Sequence, residues 1–263
     1  MNGTLYKRKS LFAMIIVAII SLAGLSYAKN PGQKTELLVS AASSLNEVMT
    51  GLGTQFEQQY PQIKITFNFA TTGVLQTQIE QGAPVDVFAG ASIKNLADLS
   101  AKGLLDQRSI ATLCHNTMAL VIRTDLASPE NTGFSLMKST VIQRIAIGNP
   151  AYVPAGKYAV DLLTHLKLLN AVQAKLIYAS NVREALGWVE TGEADAAMVY
   201  ATDAKIAKRI RITAQTRPEG PVIISYGIAI TKQGATKPGA RKFLNTITGS
   251  TGRKLFEQYG FLP

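Results

Sequence analysis

The chain has 263 residues, 47% of them apolar and 17% charged, and a formal charge of +10 at neutral pH. That composition supports one large or two smaller folded domains and excludes collagen-like, mucin-like and disordered classes. One cysteine, Cys114, excludes an internal disulfide and thiolate-rich zinc or iron–sulfur sites, and two histidines, His115 and His165, leave little for a histidine-based metal centre or for imidazole catalysis.

Lys7, Arg8 and Lys9 precede an apolar run from Leu11 to Leu25, and Ser26-Tyr27-Ala28 has small residues at the spacing of a signal-peptidase site. This predicts a signal peptide over 1–28, cut near Ala28, and a mature chain in the periplasm. The run is shorter than the ~20 residues that comfortably span a bilayer, and no cysteine follows it to carry a lipid. Losing those three cations takes the formal charge from +10 to +7. The remaining cations are scattered except at Lys205-Ile206-Ala207-Lys208-Arg209-Ile210-Arg211. No aromatic residue interleaves with that cluster, so it reads as the solvated face of a helix end and predicts no nucleic-acid partner.

From Leu37 onward strand and helix patterns alternate, as in an α/β protein with parallel sheets. Leu37 to Ser40 predicts a strand, and Leu45, Val48, Met49, Leu52 and Phe56 recur at helical spacing. Ile63, Ile65, Phe67 and Phe69 alternate as a strand does; Leu75 and Ile79 mark a helix stopping at Gly82. Val85 to Phe88 predicts a strand, and Ile93, Leu96 and Leu99 a helix closed by Gly103. An extended segment over Thr117 to Arg123 leads into a turn-rich stretch from Ser128 to Gly133.

A second set follows. Strands are predicted at Ile145 to Ile147, Leu176 to Tyr178 and Ala197 to Tyr200. Helix stripes fall at Tyr158, Ala159, Leu162, Leu163 and Leu166, at Val182, Ala185, Leu186 and Val189, and from about Asp203. Val222 to Ile230 has β character, and two helices close the chain, one around Phe243, Leu244 and Ile247, the other around Leu255, Phe256 and Tyr259. Two such sets without a flexible linker predict two lobes joined by strands that cross twice: lobe I over 29–115 and 226–263, lobe II over 116–225. Open α/β sheets hold ligands at the carboxyl ends of their strands, here the cleft between lobes.

Four strand-to-helix junctions share one chemistry. They are Ser40-Ala41-Ala42-Ser43-Ser44, Ala70-Thr71-Thr72-Gly73, Asn149 to Gly156, and Ser180-Asn181-Val182. Each sets hydroxyls, small residues or bare backbone at a helix N-terminus, where unpaired N–H groups and the positive end of the helix dipole attract anions. Ser, Thr and Asn are also the ordinary N-caps, a role that needs no ligand. Tyr200 ends its strand at the same edge, as a ligand-facing phenol or as a core tyrosine.

Five segments in order, Ala41-Ala42-Ser43-Ser44-Leu45, Gln78 to Phe88, Val153 to Ala159, Asn181 to Leu186 and Met198 to Ala204, resemble the periplasmic molybdate-binding proteins of ABC transporters. The likeness runs from about Glu36 to Tyr259-Gly260-Phe261. It implies an α/β fold of the two-lobed, type II periplasmic binding protein class, with a ligand cleft between lobes. It further implies a monomer that captures molybdate or tungstate and delivers it to an inner-membrane permease, with no cofactor, no bound metal cation and no catalysis. Carried over by motif, Ser44 and Thr72 supply hydroxyls and amides, Ala155 and Val182 backbone amides, and Tyr200 its phenol. Relatives often have serine where this chain has Thr71-Thr72, so either threonine is a candidate at the second junction.

Other readings are weaker. A site made only of donors suits a fully ionised oxyanion, which leaves sulfate as the alternative ligand. The nearest acids, Asp161 and Glu184, sit in helix turns with solvated or dipole-complementing roles, and Asp86 lies in a strand pattern with no role assigned. A ferric site would want several anionic oxygen ligands, and Tyr200 has no neighbouring tyrosine. A serine hydrolase built on Ser44 lacks the glycines of G-x-S-x-G and a histidine in a matching context.

Overall fold

The computed structural model describes residues 34–126 and 133–263. The predicted signal peptide and most of the turn-rich stretch after Ser128 lie outside them. The first set of elements is β1 (Thr35–Ala42), α1 (Asn46–Gln59), β2 (Ile63–Ala70), α2 (Thr72–Glu80), β3 (Val87–Gly90), α3 (Ile93–Ala101) and β4 (Ala111–Asn116). The second is β5 (Met118–Arg123), β6 (Ile145–Gly148), α4 (Pro154–His165), α5 (Leu169–Val172), β7 (Leu176–Ala179), α6 (Val182–Thr191), β8 (Ala196–Tyr200), α7 (Ala201–Ile206) and β9 (Ile210–Gln215). The chain then returns as β10 (Ile224–Ile230), α8 (Pro238–Thr248) and α9 (Ser250–Gln258).

These strands build two five-stranded sheets, ordered β2-β1-β3-β10-β4 and β7-β6-β8-β5-β9. In the first, β1 runs parallel to β2 and β3, while β10 is antiparallel to β3 and β4. The second repeats the plan, with β6 parallel to β7 and β8 and β5 antiparallel to β8 and β9. The chain passes between sheets twice, from β4 to β5 and from β9 to β10, so the molecule has two lobes and the first carries both ends of the described chain. Among the described residues no helix is long and apolar enough to cross a membrane.

Apolar stripes explain which faces are covered. In α1, Val48, Met49, Leu52 and Phe56 are buried beneath the sheet, and Phe56 meets Phe243 of α8 edge-on at 5.2 Å between ring centroids. In α4 and α6 the buried faces are Ala159, Leu162, Leu163 and Ala185, Leu186, Val189. Gly156 lets α4 lie against β6: a Cβ there would fall 1.7 Å from the Gly148 carbonyl oxygen, closer than any repacking could relieve.

Three local expectations are corrected. The third strand is Val87–Gly90, two residues later than the pattern at Val85 suggests, because Asp86 is fully buried and accepts hydrogen bonds from Leu38 N (2.8 Å) and Lys237 Nζ (2.7 Å). The basic cluster is a helix end only at Lys205 and Ile206: α7 stops at Ile206, and Ile210 and Arg211 open the edge strand β9. Strand β4 is an addition, carrying the buried Cys114 and pairing with β10.

Candidate functional site

Each predicted junction follows a strand whose carboxyl end faces the cleft. At three of them the residue before the helix makes no side-chain capping bond: Ala42 before the turn Ser43–Leu45, Thr71 before α2, and Val153 before α4. No side-chain cap therefore covers the first-turn N–H groups there, although Gly73 N donates to the Tyr152 carbonyl and Gly156 N to that of Val153. The fourth junction has a cap. Asn181 accepts from Arg183 N and Glu184 N, both at 3.0 Å, and passes over the N–H of Val182.

The structure brings all five predicted residues together. Ser44, Thr72, Ala155, Val182 and Tyr200 line one small pocket with a free volume of about 10 Å³, and all are buried. Ser44 and Thr72 come from the first lobe, the other three from the second. Thr71 lines it too, and none of the lining residues carries a charged side chain.

The hydroxyls are set up as donors. Ala91 N donates to Thr72 Oγ1 at 3.0 Å, so the oxygen's own proton is free to point elsewhere. Thr71 is engaged differently, donating to the Tyr152 carbonyl of the other lobe at 3.4 Å. Ser44 Oγ lies 3.0 Å from Tyr226 Oη, and Asn116 Nδ2 reaches the same phenol oxygen at 3.4 Å and Thr202 Oγ1 at 2.9 Å. Either hydroxyl of this pair can donate; when Tyr226, whose oxygen accepts from Asn116, gives its proton to Ser44, the serine proton is left for the pocket. Tyr200 is 1% exposed and its hydroxyl has no hydrogen-bond partner among the described residues. Burial, with Tyr226, Tyr158 and Asp203 nearby, pushes its ionisation well above the ordinary value, so the phenol stays a donor.

Behind these donors sits a charged group that sequence reasoning missed. Asp203 is fully buried, and Arg183 Nε lies 2.5 Å from its Oδ1. The outer face of the same guanidinium holds Glu47 of the other lobe with two bonds, 3.0 and 2.6 Å. Burial pushes the Asp203 carboxyl up to about 6, against the pull of Arg183. Both residues stand inside the motifs already quoted, flanking Val182 and Tyr200, and those flanking charges were the available signal. The acids considered from sequence are occupied elsewhere: Asp161 with Lys157 Nζ at 3.1 Å, Glu184 with Ser180 N and Oγ at 2.6 and 2.7 Å, Asp86 with Lys237. His115 binds Ser225 Oγ through Nδ1 at 3.0 Å, and among the described residues no three His, Cys, Asp or Glu side chains gather as metal ligands.

On the other rim of the cleft, Gly73 N donates to the Tyr152 carbonyl at 3.2 Å. A Cβ on Gly73 would lie 2.4 Å from that oxygen, so only glycine permits this approach.

The chain belongs to the bacterial extracellular solute-binding proteins, whose family model matches residues 37–262. The molybdate-binding protein ModA of Haemophilus influenzae is 29% identical over 96% of this chain and 98% of its own. A Bacillus subtilis substrate-binding lipoprotein, YvgL, ascribed to an ABC transporter, is 32% identical over 98% and 99%. Among solved structures, a substrate-binding domain ascribed to a molybdenum ABC transporter of Clostridium difficile superposes with a TM-score of 0.68 at 33% identity, covering 87% of this chain and 99% of that one. The fold is the two-lobed, type II binding-protein fold.

Two outcomes follow from this geometry. Gly73→Ala sets a methyl against the Tyr152 carbonyl and holds the lobes apart: small-angle scattering of the variant gives a larger radius than wild type under the same conditions, and affinity for molybdate falls about tenfold or more. Full compaction with unchanged affinity would contradict the contact. The ordinary Asp value is 3.8, so between 3.8 and about 6 the folded protein keeps the Asp203 proton that the unfolded chain gives up. Stability from this group is therefore present at low pH and lost as pH rises through about 6. Wild type should gain about 2 to 3 kcal/mol on Asp203→Asn between pH 7 and pH 4 in urea unfolding, and parallel pH profiles would contradict it.

Proposed function

We propose that this protein captures a fully ionised tetrahedral oxyanion, molybdate or tungstate, in the closed cleft and delivers it to the permease of an ABC transporter. The observation that carries the reading is a buried pocket into which both lobes contribute uncharged donors, one of them a phenol whose hydroxyl lacks a hydrogen-bond partner among the described residues. A buried dianion needs its oxygens met by donors. Charge-assisted bonds contribute roughly 1.5 to 3 kcal/mol each, so about six or seven leave room, after association costs, for micromolar or tighter binding at about −8 kcal/mol. With no carboxylate at the lining, a ligand that still carries a proton, such as phosphate near neutral pH, finds no acceptor for it.

The name of the Haemophilus relative favours molybdate over sulfate, which the same donors would otherwise suit. On this reading the protein is an exported monomer, cut near Ala28, working in the periplasm with neither catalysis nor cofactor. Lobe I would take 29–115 and 226–263, and lobe II 116–225. Thr72, whose proton is uncommitted, is the better ligand of the two threonines, since Thr71 spends its proton on Tyr152.

A thermal-shift panel tests this. Molybdate and tungstate raise the melting temperature through binding to the folded state and phosphate does not; equal shifts with sulfate would overturn the assigned selectivity. In calorimetry Tyr200→Phe loses about tenfold in affinity while its unliganded melting temperature is unchanged or higher, the orphan hydroxyl having been removed. Undiminished affinity would take Tyr200 out of the site.

A further inference from the structure

The bound ligand, on the reading above, touches no charged side chain, yet a charged cluster spans the lobes one residue from the pocket. Arg183 follows Val182 in the first turn of α6, and its guanidinium is divided between two carboxylates. Asp203, in its own lobe, is fully buried and takes the Nε side at 2.5 Å. Glu47, in the first turn of α1 in the other lobe, takes the two terminal nitrogens at 3.0 and 2.6 Å.

The two anchors differ in a way that matters. Asp203 is fully buried here and belongs to the same lobe as Arg183, so this anchor does not depend on the other lobe. The Glu47 side chain keeps 39% of its surface exposed and would hydrate readily when the lobes part. Holding the planar guanidinium in advance makes the two-pronged bond to Glu47 available at little ordering expense. At Tyr152 the lobes meet through neutral contacts, Thr71 Oγ1 and Gly73 N on its carbonyl.

We propose that Glu47, Arg183 and Asp203 form a closing latch in which Arg183, mounted on Asp203, grips Glu47 only in the shut form and thereby sets how long the anion is retained. The inference rests on the cleft closing over an oxyanion. Arg183 is a positioning residue: it acts on lobe geometry and on the neighbouring Val182 amide, not on the ligand. The division of labour is physical. Neutral donors choose the guest by shape and charge, and the rim pair holds the door by an attraction indifferent to which guest is inside.

Glu47→Gln tests it, since it keeps size and polarity at a partly exposed position and removes the charge. Tungstate release, followed by stopped flow after a molybdate chase, should quicken about five- to tenfold. Association should stay within about twofold and the unliganded melting temperature should not move. The wild-type release rate should rise with added salt and that of the variant should not. Unchanged release, or the same salt dependence in both proteins, overturns the latch. Should wild type bind no oxyanion, the functional reading fails and the latch is still read from spin labels at Gln58→Cys and Asn170→Cys, one per lobe, with Cys114 buried and unreactive. Glu47→Gln then shifts the interlobe distance distribution toward longer values, and identical distributions overturn the proposal.

Discussion

An anion shut away from water has to have its charge answered inside the protein, and a guest in the pocket proposed here would meet dipoles, none of the lining residues being charged. This constraint organises the rest. Neutral donors are individually weak, so several must converge; they must come from both sides of the guest, so two lobes must meet; and each must be free of internal partners, so capping, usual at helix starts, is withheld at three of the four junctions. The fourth keeps its Asn181 cap and still leaves the Val182 N–H uncovered.

Parallel sheet topology is what makes the convergence inexpensive. In each lobe three adjacent strands, β2-β1-β3 and β7-β6-β8, run the same way, so the loops that follow them emerge at one edge and the helices after those loops begin there. Close backbone packing holds those helix starts in place, as where Gly156 lets α4 rest on the Gly148 carbonyl. Behind the loops a hydrogen-bonded chain joins Asn116, Tyr226 and Ser44, and the rings of Tyr158, Tyr200 and Tyr226 pack together, the last two fully buried.

Much of this is legible in the sequence because it is local. Periods of two and of about 3.6 locate the parallel strands and covering helices, and the hydroxyl-rich junctions mark the cleft edge. What escapes is polar or remote. Strands β4 and β9 lie at sheet edges and carry polar residues such as His115, Asn116 and Arg211, so they lack the apolar run that identifies β10. Asp86 interrupts an apolar stretch and shifts a strand start by two residues, since its carboxylate serves Leu38 and Lys237. Arg183 and Glu47 stand 136 positions apart, and nothing in either neighbourhood announces the other. Likewise, that Thr72 keeps its proton while Thr71 commits its own depends on Ala91 and Tyr152, which only the fold brings near.

The most direct measurement is a crystal structure of the protein with tungstate, the metal located by its anomalous scattering. The account predicts a single tungsten between the lobes, its oxygens about 2.7 to 3.2 Å from the Ser44 and Thr72 hydroxyls, the Ala155 and Val182 amides and the Tyr200 phenol. Tungsten bound elsewhere, or held in the cleft by charged side chains in place of these groups, would contradict it.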